Sequence, residues 1–421
     1  MKQDIKQNTN MNTCKTLIRL LAGSIFSTAL LASLPLMAAE NSADSLAAAL
    51  SQGNTTLSFR LRHEDVQVDT PSRDATANTL RSRLTYTSAR WSGLDATLEM
   101  DYVATIGNEK FNNTRNNQFL YATVPDPDGA DLNIAALRYR FDTGSAVMGR
   151  QRLVRGNQRF IGSVGWRQNE QTFDALNLSW QASARTQFSY AWIDNTRRIF
   201  GPDKGTPAAK LASNHHLLDA SMAISDAINI NAYYYALDFE QAPALSSRTA
   251  GLTLSGAADA VNSRLDYRLE AARQDDYGNN PVNYDAMYWL ASAGLTAHGI
   301  RIGFTHEILG ADSRNNASVQ TPLATLHAFQ GWADQFLTTP AVGIKDNSIS
   351  VSGTVSGTRL SATWHDYQSD THAMSLGSEW NLQAHRVFAE RYTLTLKYAD
   401  YQSDGFGSDT QKLWLMAEAR F

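Results

Sequence analysis

The sequence predicts an all-β fold, a transmembrane antiparallel barrel of about 18 strands, and three observations carry that expectation. Apolar and polar residues alternate in one segment after another from residue 56 to the end. The connections between those segments are short and long in turn. The N-terminal region runs basic, then apolar, then small, the order of a secretory signal.

The signal is expected over residues 1–39. Lys15 and Arg19 form the basic part, an apolar stretch runs from Leu20 to Leu36, and Ala38 and Ala39 precede the polar Glu40. Gly23, Ser24, Ser27, Thr28 and Ser33 interrupt the apolar stretch, which favours a cleaved signal over a membrane anchor. Cys14 is the only cysteine and lies before the apolar stretch, so neither lipidation nor a disulfide is expected. Residues 40–55 read as a periplasmic lead-in, with one helical turn at Leu46 to Leu50, and 56–421 as the barrel.

By mean hydropathy, −0.35, and net charge, −4, the chain looks water-soluble. Membrane barrels look the same, because lipid-facing and lumen-facing residues cancel along each strand. The period of two is explicit. Leu57, Phe59 and Leu61 alternate with Ser58, Arg60 and Arg62; Leu94, Ala96, Leu98 and Met100 alternate with Asp95, Thr97 and Glu99. Tyr392, Leu394, Leu396 and Tyr398 alternate with Thr393, Thr395 and Lys397, and Leu413, Leu415, Ala417, Ala419 and Phe421 close the chain on a terminal aromatic. Such segments are roughly ten residues long, enough for a tilted strand to cross the hydrocarbon. Segment 145–153 fits less well, and 227–239 and 285–297 are apolar or aromatic on both faces.

Short connections fall at Trp91-Ser92-Gly93, Asp142-Thr143-Gly144, Ser225-Asp226, Ala297-His298-Gly299 and Ser356-Gly357. Long ones fall at 106–131, 154–171, 195–214, 275–284 and 310–346. Outer-membrane barrels have short periplasmic turns and long extracellular loops, and an even strand number returns both termini to the periplasm. A soluble β-sandwich has no reason to sort its loops by parity.

If the apolar face meets lipid, the other face lines the lumen. It carries Arg60, Arg62, Arg81, Arg83, Arg138, Arg140, Arg150, Arg152, Arg185, Arg264, Arg268 and Arg301, with the acidic trio Asp95, Glu99 and Asp101 between two basic pairs. Part of this charge is expected to form arginine–carboxylate ladders that hold the wall. The excess is arginine, whose fork binds carboxylates bidentately. Such a wall would attract an anion without trapping it, as conduction requires.

Two motifs resemble a known family. One is Gly149-Arg150-Gln151, then Asn157-Gln158-Arg159-Phe160-Ile161-Gly162, then Trp166-Arg167-Gln168-Asn169-Glu170-Gln171-Thr172-Phe173-Asp174-Ala175. The other is Thr321-Pro322-Leu323-Ala324-Thr325-Leu326-His327-Ala328-Phe329, then Gly331-Trp332-Ala333-Asp334. Both are similar to the alginate-export family of outer-membrane porins. The resemblance implies a monomeric barrel with an electropositive, arginine-rich lumen for a polyuronate. That family's best-understood exporters have a long periplasmic gating turn; here no periplasmic connection exceeds about ten residues. The match therefore implies an anion-handling porin more than alginate itself.

The expected partners are outer-membrane lipid and an anionic carbohydrate or small carboxylate. No cofactor and no nucleic acid is expected. The readings in view are a passive anion porin, an exporter of an anionic polysaccharide such as alginate, and a rim enzyme or adhesin. The last would use polar rim residues such as His63-Glu64-Asp65 or His365-Asp366, but no hydrolase signature is present, so an enzyme is not expected. Asp126, Asp128 and Asp131 form a fragment of a calcium loop, and His365, Asp366, Asp370 and His372 share one hairpin; both read better as solvated turns than as metal sites. The longest loop, 310–346, carries Leu323, Leu326, Phe329, Trp332 and Phe336 at helical spacing. It is expected to fold inward as a short amphipathic helix and constrict the pore through His327, Phe329, Trp332 and Asp334, leaving His327, Asp334 or Gln335 facing the passage.

Overall fold

Strand formation follows from the period of two, and the computed structural model, which describes residues 42–421, places these strands in one ring. They are β1 (Asn54–Val68), β2 (Ala75–Thr87), β3 (Leu94–Thr105), β4 (Gly129–Phe141), β5 (Gly144–Gln151), β6 (Thr172–Ser183), β7 (Thr186–Arg197), β8 (Lys210–Ser225), β9 (Ile228–Leu237), β10 (Ser247–Ala260), β11 (Ser263–Asp276), β12 (Asp285–Ala297) and β13 (Ile300–Leu309). A two-residue hairpin follows, β14 (Ala311–Asp312) and β15 (Ala317–Ser318). The ring then resumes with β16 (Ile344–Val355), β17 (Thr358–Gln368), β18 (Ser375–Phe388), β19 (Tyr392–Ser403) and β20 (Thr410–Arg420). Each ring strand is antiparallel to its neighbours, and β1 pairs with β20 from Ser58↔Arg420 to Val68↔Thr410, which closes an 18-stranded barrel without a free edge. The signal-peptide reading falls outside the described residues.

Loop parity holds around the whole ring. Connections 142–143, 226–227, 298–299 and 356–357 lie at the end where β1 begins and β20 ends; 106–128, 152–171 and 310–343 lie at the other. Two-residue hairpins need positive φ at both central positions to match strand twist. His298 and Gly299 have φ of 50° and 78°, and Ser356 and Gly357 have 48° and 77°.

The amphipathicity is inverted relative to a soluble protein. Leu61 is 46% exposed while the adjacent Arg62 is 1% exposed, because leucine faces outward and arginine inward. Outward aromatics gather near both ends of the strands. Tyr139–Phe141, Trp180–Phe188 and Tyr392–Phe421 are in ring contact at the short-turn end, and Tyr102, Trp192 and Trp289 stand toward the long-loop end. That is the girdle pattern of a lipid-facing barrel. Before β1, Ser45 caps a single helical turn, α1 (Leu46–Ser51), by accepting from the Ala48 N–H.

The two segments that are aromatic on both faces have a packing reason. Tyr233 and Tyr235 on β9 and Tyr288 on β12 point inward and are buried, because loop 152–171 covers them. In β5, Gly149 has φ of 110°, and a Cβ there would lie 2.3 Å from the Ala135 carbonyl oxygen; only glycine fits the motif's first position.

Candidate functional site

Loop 152–171 crosses the lumen. Phe160 packs on Tyr288 and Tyr233 with ring centroids 5.2 and 5.6 Å away. Six residues on, Trp166 meets Trp414 of β20 edge-on at 5.7 Å. Strands β9 and β20 stand on opposite sides of the ring, and six extended residues reach about 20 Å. The segment is therefore a strut from wall to wall. Arg60 of β1 donates to the carbonyl of Gly165 at 3.0 Å, and Arg62 donates to that of Trp166 and lies 4.5 Å from its ring. Gln168 donates to the Thr79 hydroxyl at 2.9 Å, and its own N–H bonds Asp126 at 2.8 Å.

Loop 310–343 also folds inward, but without the expected amphipathic helix. Its only helical piece is a 3-10 turn, Leu326–Ala328. Extended backbone wins because the loop bonds the strut along its length: Gly162 N–H to Leu323 O at 2.8 Å, Gln171 Nε2 to the same oxygen at 3.0 Å, Thr325 Oγ1 to Gln158 Oε1 at 2.7 Å. His327 stacks on Trp166 at 4.5 Å. Its Nδ1 bonds Asp334 at 2.8 Å and its Nε2 accepts from the Lys397 ammonium at 2.8 Å. Lys397, on β19, lies 3.9 Å from the ring centroid of Trp166, 3.7 Å from that of Trp332 and 5.4 Å from that of Trp414. This cation–π box joins both loops to the wall. Lys412 of β20 bonds Asp334 at 2.7 Å.

Farther along, Glu379 of β18 accepts from the N–H groups of Trp332 and Ala333 at 2.5 and 2.8 Å. Gly331 allows this approach; a Cβ there would lie 2.1 Å from a Glu379 oxygen. Phe336 closes the packing against Tyr367, Tyr401 and Phe406.

His327 and Asp334 thus anchor the loop instead of facing a passage, and Gln335 is held by Thr410 at 3.0 Å. Phe329 lies under the Arg159 guanidinium, 4.6 Å away. Burial, and then the Lys397 charge, push the His327 pKa down to about 3, so its ring is neutral. Burial works against ionisation of Asp334, but Lys412, His327 and Arg167 outweigh it and hold that carboxyl well below the usual range.

The two loops cover one acidic part of the wall. Glu307 meets Arg159 at 3.2 Å and the Tyr288 hydroxyl at 2.7 Å; Asp346 meets His365 at 2.9 Å. Glu307, Asp346 and Glu379 are all buried.

On β2 to β7 the charges are layered. Arg83 grips Asp101 with two bonds of 2.6 Å and reaches Glu170 at 2.6 Å and Glu99 at 3.3 Å. Arg152 bonds Glu99 and Glu170, Arg140 bonds Asp95 at 2.6 Å, and Arg150 bonds Asp174 at 2.8 Å. Arg140 and Arg152 keep 35% and 30% side-chain exposure, while Asp95, Glu99 and Glu170 keep 5% each. Solvent therefore meets guanidinium, with the carboxylates beneath. Arg138 shares the inward face of β4 with Arg140. On β11, Arg268 covers Glu270 in the same way at 2.5 Å, whereas Arg301 of β13 bonds the more exposed Asp266 at 2.6 Å.

Several expected pathway residues fall elsewhere. Arg62 and Arg81 are buried, because the strut packs over them. Arg185 sits in the 184–185 turn and bonds the Ile224 carbonyl; Arg264 pairs with Asp259 at the short-turn mouth. Conversely, Arg155, Arg159, Arg167 and Glu170 of the strut are central and were missed by reading strand faces alone. The family-like motif carried the signal for Arg159, Arg167 and Glu170, whereas Arg155 lies outside it. Arg155, Arg185, Arg268, Gln187, Asn231 and Asp219 line a 430 Å³ cavity between the strut and the wall.

The three aspartates of the calcium-like turn diverge. Asp126 is buried against Arg62 at 3.1 Å, Asp128 accepts from Thr105, and Asp131 lies near Arg197. In the other hairpin, His365 faces Asp346 while Asp370 accepts from the Ala311 N–H. Among the described residues no three carboxylate, histidine or cysteine side chains are grouped to hold a metal ion. On the barrel exterior, both ring nitrogens of His63 are taken, by Asn78 at 2.8 Å and Asp65 at 2.7 Å.

The family model described as alginate export matches residues 52–321, more than half of the chain. No curated protein sequence matches it. Solved structures with the same fold include OccAB4 of Acinetobacter baumannii (TM-score 0.70, 12% identity, covering 88% of this chain and 98% of that one). OccK9 (OpdG) of Pseudomonas aeruginosa superposes with TM-score 0.70 at 14% identity, over 89% of this chain and 100% of that one. OpdK of the same species, solved with vanillate, gives 0.68 at 11% identity over 88% and 99%. At these identities the likeness is one of fold.

Proposed function

This chain belongs to the alginate-export family of outer-membrane β-barrels, and on that premise we propose that it is a passive channel for anionic, carboxylated solutes: sugar acids, short acidic oligosaccharides or small organic acids. The supporting observation is the layered charge on β2 to β7, where the partly exposed Arg140 and Arg152 overlie buried Asp95, Glu99 and Glu170. A passing carboxylate meets forked donors, and the acids beneath keep the attraction short of trapping. The protein works as a monomer, with both termini in the periplasm, and carries out no catalysis.

Vanillate, the molecule solved with OpdK, is itself a small carboxylate, which accords with this reading by analogy of fold. A second reading is export of an anionic polysaccharide such as alginate, and the family description favours it. That reading requires the polymer to thread beside the strut or the strut to leave the lumen.

Proteoliposome swelling separates these readings from a non-conducting rim enzyme or adhesin. Glucuronate should enter faster than glucose, which is similar in size and uncharged. Equal rates, or none for either, would overturn the proposal.

A further inference from the structure

The strut carries one carboxylate into the arginine wall. Glu170 lies just before β6, and three guanidiniums converge on it: Arg83 Nη1 at 2.6 Å, Arg152 Nε, and Arg81 Nη1 at 3.7 Å. Arg81 is only 5% exposed, yet its Nε and Nη1 make no hydrogen bond. Buried guanidinium nitrogens normally find acceptors. This pocket therefore holds more donor capacity than Glu170 uses.

The charge balance is as informative. Arg81, Arg83 and Arg152 face Glu99, Asp101 and Glu170. Glu99 and Asp101 belong to the wall strand β3; Glu170 alone arrives on a loop. Without it the pocket is cationic. Its neighbour Gln171 donates through Nε2 to the carbonyls of Gly162 and Leu323 at 2.9 and 3.0 Å, and its N–H bonds Ser163 O at 2.7 Å. Displacement of Glu170 would therefore be felt by both inward loops.

We propose that Arg81, Arg83 and Arg152 form a carboxylate-binding site whose resting occupant is the protein's own Glu170, and that a solute carboxylate competes with Glu170 for it. The inference rests on the anion-channel reading and deepens it. The spare donors of Arg81 let the incoming carboxylate bind before Glu170 has fully left, so the exchange does not strand a buried charge. Glu170 acts as a tethered competitor. It lowers resting affinity for the solute and links solute entry to movement of the strut.

The test uses the full chain in planar bilayers with sodium glucuronate as blocker of chloride current. In Glu170→Gln the competitor is neutral, and the half-blocking concentration should fall roughly tenfold, the scale of one charge-assisted hydrogen bond. Glu170→Asp keeps the charge and should stay near the parent. A nitroxide on Ser163→Cys, with Cys14 replaced by serine, should gain mobility when glucuronate is added. In the Glu170→Gln background it should be mobile without glucuronate. Heat-modifiable migration on gels establishes that each variant is folded.

If glucuronate blocks but Glu170→Gln leaves the half-blocking concentration unchanged, or the label stays rigid in every case, the tethered-competitor site is wrong. The channel reading would then survive, provided Arg140→Glu, which lies outside the trio, still weakens chloride preference. If Arg140→Glu and Glu170→Gln both leave selectivity and block unchanged, the anion-channel reading falls as well.

Discussion

Trp166 and His327 stack with ring centroids 4.5 Å apart and planes 6° from parallel. One belongs to loop 152–171, the other to loop 310–343, so this contact makes two sequence-distant loops a single body. Lys397 fixes that body to the wall through its aromatic box and its bond to His327. Lys397→Met keeps most of the volume and removes the charge. Single-channel traces should then show larger and noisier conductance, because both loops lose their pin together. Unchanged conductance in a folded variant would assign the pinning to Asp334–Lys412 and Glu379 instead.

Deleting residues 320–340 should change two quantities in opposite senses. Conductance should rise, because the loop leaves the lumen. Anion preference should fall, because Glu307, Asp346 and Glu379 lose their cover and face the solution. A deletion that raises both would show that the covered acids do not shape selectivity.

Loop docking should weaken in mild acid. Docked His327 protonates only near pH 3, whereas in a released loop it does so near its ordinary value, about 6.5. Between those values the released state binds the extra proton, so docking is favoured at higher pH and loses up to about tenfold per unit as pH falls. The charged groups facing His327 are Lys397, Asp334 and Arg167, and Asp334 stays ionised in the docked loop throughout that window. Loop-opening events should become frequent as pH falls from 7 to about 5, and His327→Gln should remove the part of this dependence due to the imidazole. A His327→Gln channel with the parent's pH response would place the sensor elsewhere.

The lipid face should respond differently from the lumen. Leu396, mid-strand in β19 and 46% exposed, faces outward. Arginine there should destabilise the barrel by about 2–4 kcal/mol if it lies near the midplane. Loss of heat-modifiable migration at lower temperature would register it; a barrel as stable as the parent would contradict the assigned face.

Much of this was legible in the sequence because barrel strands are local objects. Leu61 and Arg62 declare their faces by period alone, and the 298–299 and 356–357 turns declare themselves by length and glycine. The strut was not legible as a strut. Phe160 and Trp166 carry no periodic signal, and what they pack against, Tyr288 and Trp414, lies far away in sequence. The aromatic double faces of β9 and β12 were the available hint, since an inward tyrosine pair needs a cover. The helix expected in 310–346 failed for a related reason. Its apolar spacing was real, but Leu323, Trp332 and Phe336 each bury against a different partner, and backbone bonds to the strut and to Glu379 outcompete helical ones.

The central claim is that partly exposed guanidinium over buried carboxylate sets the charge preference of the passage. The reversal potential of the purified protein in a planar bilayer, under a potassium chloride gradient, tests it most directly. The potential should lie on the chloride side and move toward the potassium side when Arg140 and Arg152 are both replaced by glutamate. A parent protein that prefers potassium, or a double variant with the parent's potential, would contradict it.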